Sequence, residues 1–499
     1  MPSAPVIARA PLVAACLLLA AAGCVRVQRL EPGVGGATGA GTPGPEVGGD
    51  IDAVWPARWG EGASGRKGVI VPEEEPLDGL YGIFLGEHHR FRPGPREYRD
   101  ADALARGLGV TGAFRFRPEE GGGMVFVPRR EGWPPDPRLD GPEPSMVFRF
   151  VSGRAEPEAA APGLGLLARD AEDRSLRALV GGGTGALAGG GRDRVVLQRT
   201  WFALYEPEGE ARGLVVILPG LFGMPGWFIE PLTRELTGRG YAVLRMLALP
   251  SRFLAGAEIL EDPVGSLAVP EGFGRIVTER LAEVAYAAEA AREHVAAERP
   301  GLRGLPAALV GMSGGALSLP AVWARDPGAY DAAVLIAGGA DLATLGSTSA
   351  FADALLKVGL RRAPEGSRDG GGATPEAEAV EQAETFAALL GGAGPEYLAA
   401  SPLDPFNLAP RMAGTPLLVV HGARDRVVPA ATGDRLWERL GRPERWVYPL
   451  GHGALFLALP LRKGALVRWI DERLAEAGGA GVPATASSDP APGAGPADH

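Results

Sequence analysis

The sequence predicts an α/β protein built on a mostly parallel sheet, and three observations carry that. Short apolar runs recur at 214–218, 241–246, 308–312, 332–337 and 416–420. Runs so little interrupted by polar residues suit strands covered on both faces. Helix-patterned stretches separate them, and strands alternating with helices give a parallel sheet. One run also ends in Gly311-Met312-Ser313-Gly314-Gly315, the pattern of a strand turning sharply into a helix. Side chains at 311 and 315 would crowd such a turn, and glycine has none.

Composition bounds the rest. The 499 residues allow roughly two to four domains. An apolar fraction of 46% supplies a core, while Gly 75 and Pro 46 predict long loops. The net charge of -10 gives no basic footprint for nucleic acid. Both cysteines, Cys16 and Cys24, stand at the amino terminus, so the body has neither a disulfide framework nor a cysteine-based metal or catalytic site.

Residues 1–24 read as a targeting segment. Arg9 precedes an apolar core at 12–20 that is short for a membrane-spanning helix. Ala21-Ala22-Gly23-Cys24 then resembles the bacterial lipobox, with alanine where leucine is usual. The resemblance implies that Cys24 is lipidated and becomes the new amino terminus. Val25 follows where inner-membrane lipoproteins often carry aspartate, which favours an outer membrane. An ordinary signal peptide with a chance cysteine is the alternative, and either exports the chain. Residues 25–50 read as a flexible linker, rich in Gly, Pro and Thr from 31 on.

Residues 51–190 form an N-terminal extension. Runs at 68–71, 80–85, 113–116, 124–127 and 146–150 read as short strands, and 100–108 as a short helix. A small α+β or mostly-β module fits, as does decoration packed on the main body. Glu87-His88-His89 is weak as a metal set, because neighbours on a strand point to opposite faces. A solvated loop is the better reading. The stretch 181–191, nearly all glycine, alanine and leucine, reads as a linker or loop.

The main body spans 193–475. A long strand at 195–205 ends at Glu206-Pro207, and 212–218 is the next. The turn from Pro219 to Gly226 leads to a helix at 228–239, capped by Gly240. A strand follows at 241–246, then an irregular stretch at 250–274. A helix at 275–299 places Ile276, Leu281, Val284, Ala288 and Val295 near one face and stops at Pro300-Gly301. Pro320 predicts an early end or a kink in the helix after Ser313. Residues 341–411, too long for a simple crossover, read as an inserted cap with a helical patch at 376–390. Strands at 416–420 and 445–448 and a final helix at 454–475 complete the body, and the tail 476–499 reads as disordered.

Ser313, Asp425 and His452 all follow strands, and so fall at the carboxyl edge where parallel sheets bind ligands. Serine needs a neighbouring base to become a nucleophile. His452, set between glycines after the last strand, is the candidate base. Four motifs stand in order: Leu218-Pro219-Gly220-Leu221-Phe222-Gly223, Gly311-Met312-Ser313-Gly314-Gly315, His421-Gly422-Ala423-Arg424-Asp425-Arg426-Val427-Val428-Pro429, and Gly451-His452-Gly453-Ala454-Leu455-Phe456. On these motifs, 193–475 resembles the α/β-hydrolase superfamily of serine esterases, lipases and peptidases. The resemblance implies a Ser313–His452–Asp425 triad, with the N–H groups of Leu221 and Gly314 as the oxyanion hole. Pro219-Gly220 stands where many members have His-Gly, a change that keeps the backbone donor. Asp341, one strand earlier, is an alternative acid, and His421 an alternative histidine with a more usual structural role.

The expected function is that of an exported serine hydrolase acting on esters in preference to amides. It needs no metal or organic cofactor. Its expected partners are a small-molecule or lipid-like ester and, through Cys24, a membrane. An acyltransferase using the same triad, or a binding lipoprotein on a hydrolase scaffold, are the rivals. Leu221, Phe222, Met224, Trp227 and Phe228 suggest an apolar acyl pocket, or simply core.

Overall fold

The computed structural model describes residues 26–28, 54–55, 69–72, 114–118, 124–128, 144–157, 193–221, 226–247, 249–250, 257–261, 268–350, 358–362, 391 and 394–480. The possible metal set at 87–89, the strand at 80–85, the helices at 100–108 and 376–390, and the signal segment lie outside the described residues.

Within them, ten strands form one sheet. In chain order the strands are β1 (Arg26–Gln28), β2 (Val69–Pro72), β3 (Phe114–Pro118), β4 (Met124–Pro128), β5 (Met146–Pro157), β6 (Asp193–Tyr205), β7 (Gly213–Leu218), β8 (Tyr241–Met246), β9 (Ala257–Glu261), β10 (Ala307–Met312), β11 (Ala332–Ile336), β12 (Val358–Arg362), β13 (Leu417–Gly422) and β14 (Glu444–Tyr448). The main sheet runs β1-β14-β13-β11-β10-β7-β8-β6-β5-β2. From β8 to β14 every neighbouring pair is parallel. Antiparallel strands complete both edges. The two remaining pairs, β3–β4 and β9–β12, stand apart from it.

The helices are α1 (Gly226–Gly238), α2 (Ala268–Glu298), α3 (Gly314–Arg325), α4 (Leu342–Thr348), α5 (Gly394–Ala400), α6 (Pro405–Leu408), α7 (Ala430–Arg439), α8 (His452–Ala458) and α9 (Lys463–Ala480). Strand residues alternate between two cores. Leu214, Val216 and Leu218 meet α2 and α3 on one face, while Val215 and Ile217 meet α1 and α9 on the other. Every residue of β7, β8, β10, β11 and β13 is buried. That is why these strands read as continuous apolar runs.

Several expectations need correction. The helix after Ser313 does not end at Pro320; α3 continues to Arg325. Proline removes one helical hydrogen bond, but Leu317, Leu319, Val322 and Trp323 are buried around it, and that packing outweighs the loss. The final helix is two. A 3₁₀ turn at Leu459–Arg462, carrying Pro460, separates α8 from α9. The helix expected at 275–299 starts earlier, at Ala268, and the stretch read as irregular holds β9. Within 51–190, of the two alternatives left open, β2 and β5 match decoration on the main body: they extend the main sheet beyond β6. Within the linker 25–50, β1 pairs with β14, whose open edge offers unpaired backbone groups.

Part of the segment 341–411 is a wall of the body. Tyr397, Leu403 and Leu408 belong to the core beside α2 and α3, and the rings of Tyr397 and Phe273 lie 5.3 Å apart.

Candidate active site

The site begins with a strained backbone. Ser313 sits between β10 and α3 with φ 50 and ψ -116. A side chain in that region costs on the order of 1–3 kcal/mol, so its surroundings must impose it. They do. The Ser313 N–H donates to the Ile336 carbonyl at 2.8 Å, and the Leu317 N–H closes the first helical turn onto the Ser313 carbonyl at 3.0 Å. A Cβ on Gly311 would lie 2.6 Å from the Gly315 carbonyl oxygen, and one on Gly315 would lie 2.4 Å from that of Leu218. Both glycines of the motif are therefore demanded by close backbone approach.

His452 opens α8, just past β14. Its Nε2 lies 3.0 Å from Ser313 Oγ and its Nδ1 lies 2.7 Å from Asp425 Oδ2. A carboxylate only accepts, so Nδ1 carries the proton and Nε2 presents a lone pair to the serine. The other oxygen, Asp425 Oδ1, accepts the N–H groups of Val427 and Val428, each at 2.9 Å. The Asp425 side chain is fully buried, while the imidazole keeps 14% of its surface. The loops are tied to each other as well. The N–H groups of Ala423 and Arg424 donate to the carbonyls of Tyr448 and Leu450. Three loops from β10, β13 and β14 thus converge on one hydrogen-bonded chain.

Leu221 and Gly314 also meet. A Cβ on Gly314 would stand 3.1 Å from the Leu221 amide nitrogen. Gly314 is the first residue of α3, where backbone N–H groups have no partner within the helix. The Leu221 amide nitrogen therefore lies against Gly314, next to Ser313, at the positive end of the helix dipole. Leu221 is buried, whereas the side chains of Phe222, Met224, Trp227 and Phe228, invoked for an acyl pocket, lie outside the described residues.

The alternatives have other duties. Asp341 caps α4, accepting from the Thr344 N–H at 3.1 Å and the Thr344 hydroxyl at 2.7 Å, and it pairs with Arg435. His421 is a core side chain, 1% exposed, with neither ring nitrogen hydrogen-bonded. Burial, reinforced by the nearby Arg445 charge, lowers its pKa to about 4, so at neutral pH the ring is uncharged.

Two features went unread in the sequence. The pair of amides that cradles Asp425 is a backbone property and leaves no side-chain signature. Phe456 packs edge-on against His452 with centroids 5.2 Å apart. Its spacing, four residues on within one helix, could have shown it. Among the described residues no cluster of three or more metal-ligating side chains occurs.

No family model matches the sequence, and no curated protein matches it. Similar solved structures include the acylaminoacyl peptidase of Pyrococcus horikoshii, at 13% identity and TM-score 0.34, with 55% of this chain and 40% of that one covered. The chain thus spans well under half the length of that peptidase. Est1E of Butyrivibrio proteoclasticus is 16% identical at TM-score 0.34, over 56% of this chain and 95% of that one. The Pyrococcus furiosus esterase Pf2001 is 16% identical at TM-score 0.36, over 56% and 87%. The fold itself is that of the α/β hydrolases. The helix-flanked parallel sheet, the strained elbow on a central strand and the chain order Ser, Asp, His are its features.

Proposed function

We propose that this chain is an exported serine hydrolase that cleaves esters, in preference to amides, through an acyl-enzyme, and that a lipid on Cys24 tethers it to the cell envelope. The observation that carries the chemistry is the unbroken chain from Ser313 Oγ through His452 to Asp425, at 3.0 and 2.7 Å.

The roles follow from the atoms. Ser313 Oγ bonds to the ester carbonyl carbon while its proton moves to His452 Nε2. The carbonyl oxygen takes the electron pair and faces the amides of Leu221 and Gly314, where one donor is typically worth about 3 kcal/mol in the transition state. Asp425 meanwhile stabilises the imidazolium. The tetrahedral centre then collapses, the C–O bond to the alcohol breaks, and Nε2 returns its proton to the leaving oxygen. Water repeats the sequence on the acyl-serine and releases the acid.

A fluorophosphonate probe on the folded protein, with a chain-length series of chromogenic esters, tests this. The expected outcome is labelling at Ser313 and ester turnover, both lost in Ser313→Ala. Folded protein that is neither labelled nor active sinks the proposal. Incorporation of radiolabelled palmitate in a bacterial host, lost in Cys24→Ser, checks the tether separately.

A further inference from the structure

Leu457 and Leu461, exposed by 48% and 60%, are the large hydrophobic side chains that stand out in solvent among the described residues. Both follow His452 closely, on α8 and the 3₁₀ turn behind it. Ala454 is exposed too, while Leu455, Phe456 and Leu459 turn inward. The spacing of three and four residues from 454 to 457 to 461 makes an apolar stripe beside the catalytic histidine, with the opposite side sunk in the core.

Charge says what the stripe meets. The chain carries a net -10, yet no acidic residue occurs from Arg445 to Ile470. Arg462, next to Leu461, is exposed, and it lies close enough to the end of β14 to act on the Tyr448 phenol. Lys463 is partly spoken for by Glu235, at 3.4 Å. Exposed leucines beside a basic residue, on a stretch of chain that itself carries no carboxylate, are the make-up of an element that lies on an anionic lipid surface.

The backbone adds an independent observation. β1 runs antiparallel to β14, with Arg26 opposite Val447 and Gln28 opposite Arg445. β1 therefore begins at the carboxyl end of β14, the rim that carries His452. Cys24 is two residues before Arg26, and two residues reach at most about 7 Å. A lipid on Cys24 is therefore tied within that reach of Arg26, which stands at this rim opposite Val447.

We infer that the rim formed by α8 and the following turn docks on an anionic lipid surface, so that the substrate is an ester presented by that surface. The substrate class rests on the serine-hydrolase reading above; the docking does not. A tether on Cys24 raises the local concentration of the surface at the rim, and the stripe sets the orientation.

The test uses the full chain carrying Cys24→Ser, so that no acyl tether masks the stripe, with and without Leu457→Ser and Leu461→Ser together. The probes are vesicles of phosphatidylcholine with and without about one third phosphatidylglycerol, a long-chain ester held in them, and a short soluble ester. The double variant is expected to lose about tenfold in sedimentation with the anionic vesicles and in hydrolysis of the vesicle-borne ester, at an equivalent of about 1.4 kcal/mol per tenfold. Soluble-ester turnover should stay within about twofold, since both side chains stand in solvent. Equal vesicle binding and turnover by both proteins overturns the docking, and binding indifferent to phosphatidylglycerol overturns its anionic character. Normal sedimentation loss without turnover of either ester would sink the hydrolase reading and leave the docking standing.

Discussion

At Ser313 and Asp425 the backbone, more than any side chain, prepares the chemistry. Ser313, the nucleophile of the proposed reaction, is held at φ 50 by the strand on one side and the helix on the other, and the Asp425 carboxylate is held by two N–H groups as well as by His452. This predicts a specific failure. In Asp425→Asn an amide can offer its NH2 to Nδ1, which turns the imidazole so that Nε2 carries the proton and cannot accept from Ser313. The kcat for a soluble ester should fall roughly 10³–10⁴-fold with little change in KM. Steady-state kinetics on folded variant checks it, and a loss below tenfold would mean that Asp425 does not orient the base. The residues of the site were legible because chemistry restricts them to a few types at motif spacings. The acid was not legible to the same degree. Asp341 and Asp425 both follow strands, and the bonds of Asp341 to Thr344 and Arg435, which take it out of contention, span 3 and 94 residues.

At the scale of elements, Asp404 shows how one buried carboxylate joins several. It accepts the N–H groups of Asp341 and Leu342 at 2.9 Å each, that of Phe406 at 2.7 Å and the Tyr397 hydroxyl at 2.5 Å. The start of α4, the middle of α5 and the first turn of α6 thus share one anchor. Asp404→Ala would leave these donors buried and unpaired, at about 4 kcal/mol in total. The expected result is a large drop in the urea midpoint, with kcat per folded molecule retained because no triad residue touches Asp404. A midpoint shift worth less than about 1 kcal/mol would contradict this anchor. Periodicity located most elements but misjudged α3 and the last helix. Pro320 is tolerated inside α3 because buried neighbours hold that helix on both sides, whereas Pro460 sits in a turn that leaves Leu461 in solvent. The same residue type has opposite outcomes, and local sequence does not contain the difference.

At the scale of the whole molecule, His421 links folding to pH. The ring sits between β13 and α7, so tightly that a Cβ on Gly433 would come 2.2 Å from its Cε1. Its folded pKa of about 4 lies below the ordinary 6.5 because burial and Arg445 penalise the charge. The unfolded chain therefore takes up the proton first as pH falls. This contribution is complete above about pH 6.5, declines between there and pH 4, and amounts to about 3 kcal/mol once lost. Denaturant midpoints measured from pH 7 to pH 4 should fall for the native chain and fall less for His421→Met. Parallel curves for the two proteins would show that the ring is not the sensor.

The residue pattern alone was enough for the fold class, because a strand buried on both faces must be apolar throughout, and because a tight strand-to-helix turn demands glycine two residues to either side of the serine. It also determined the residue types of the site and their order along the chain. The tertiary structure decided which carboxylate meets His452, which proline breaks a helix, that β2 and β5 extend the main sheet, and that β1 closes its far edge. Each of these is settled by partners distant in the chain. A hydrogen bond or a packed wall acts through space, while the pattern in a window of residues records only its neighbours.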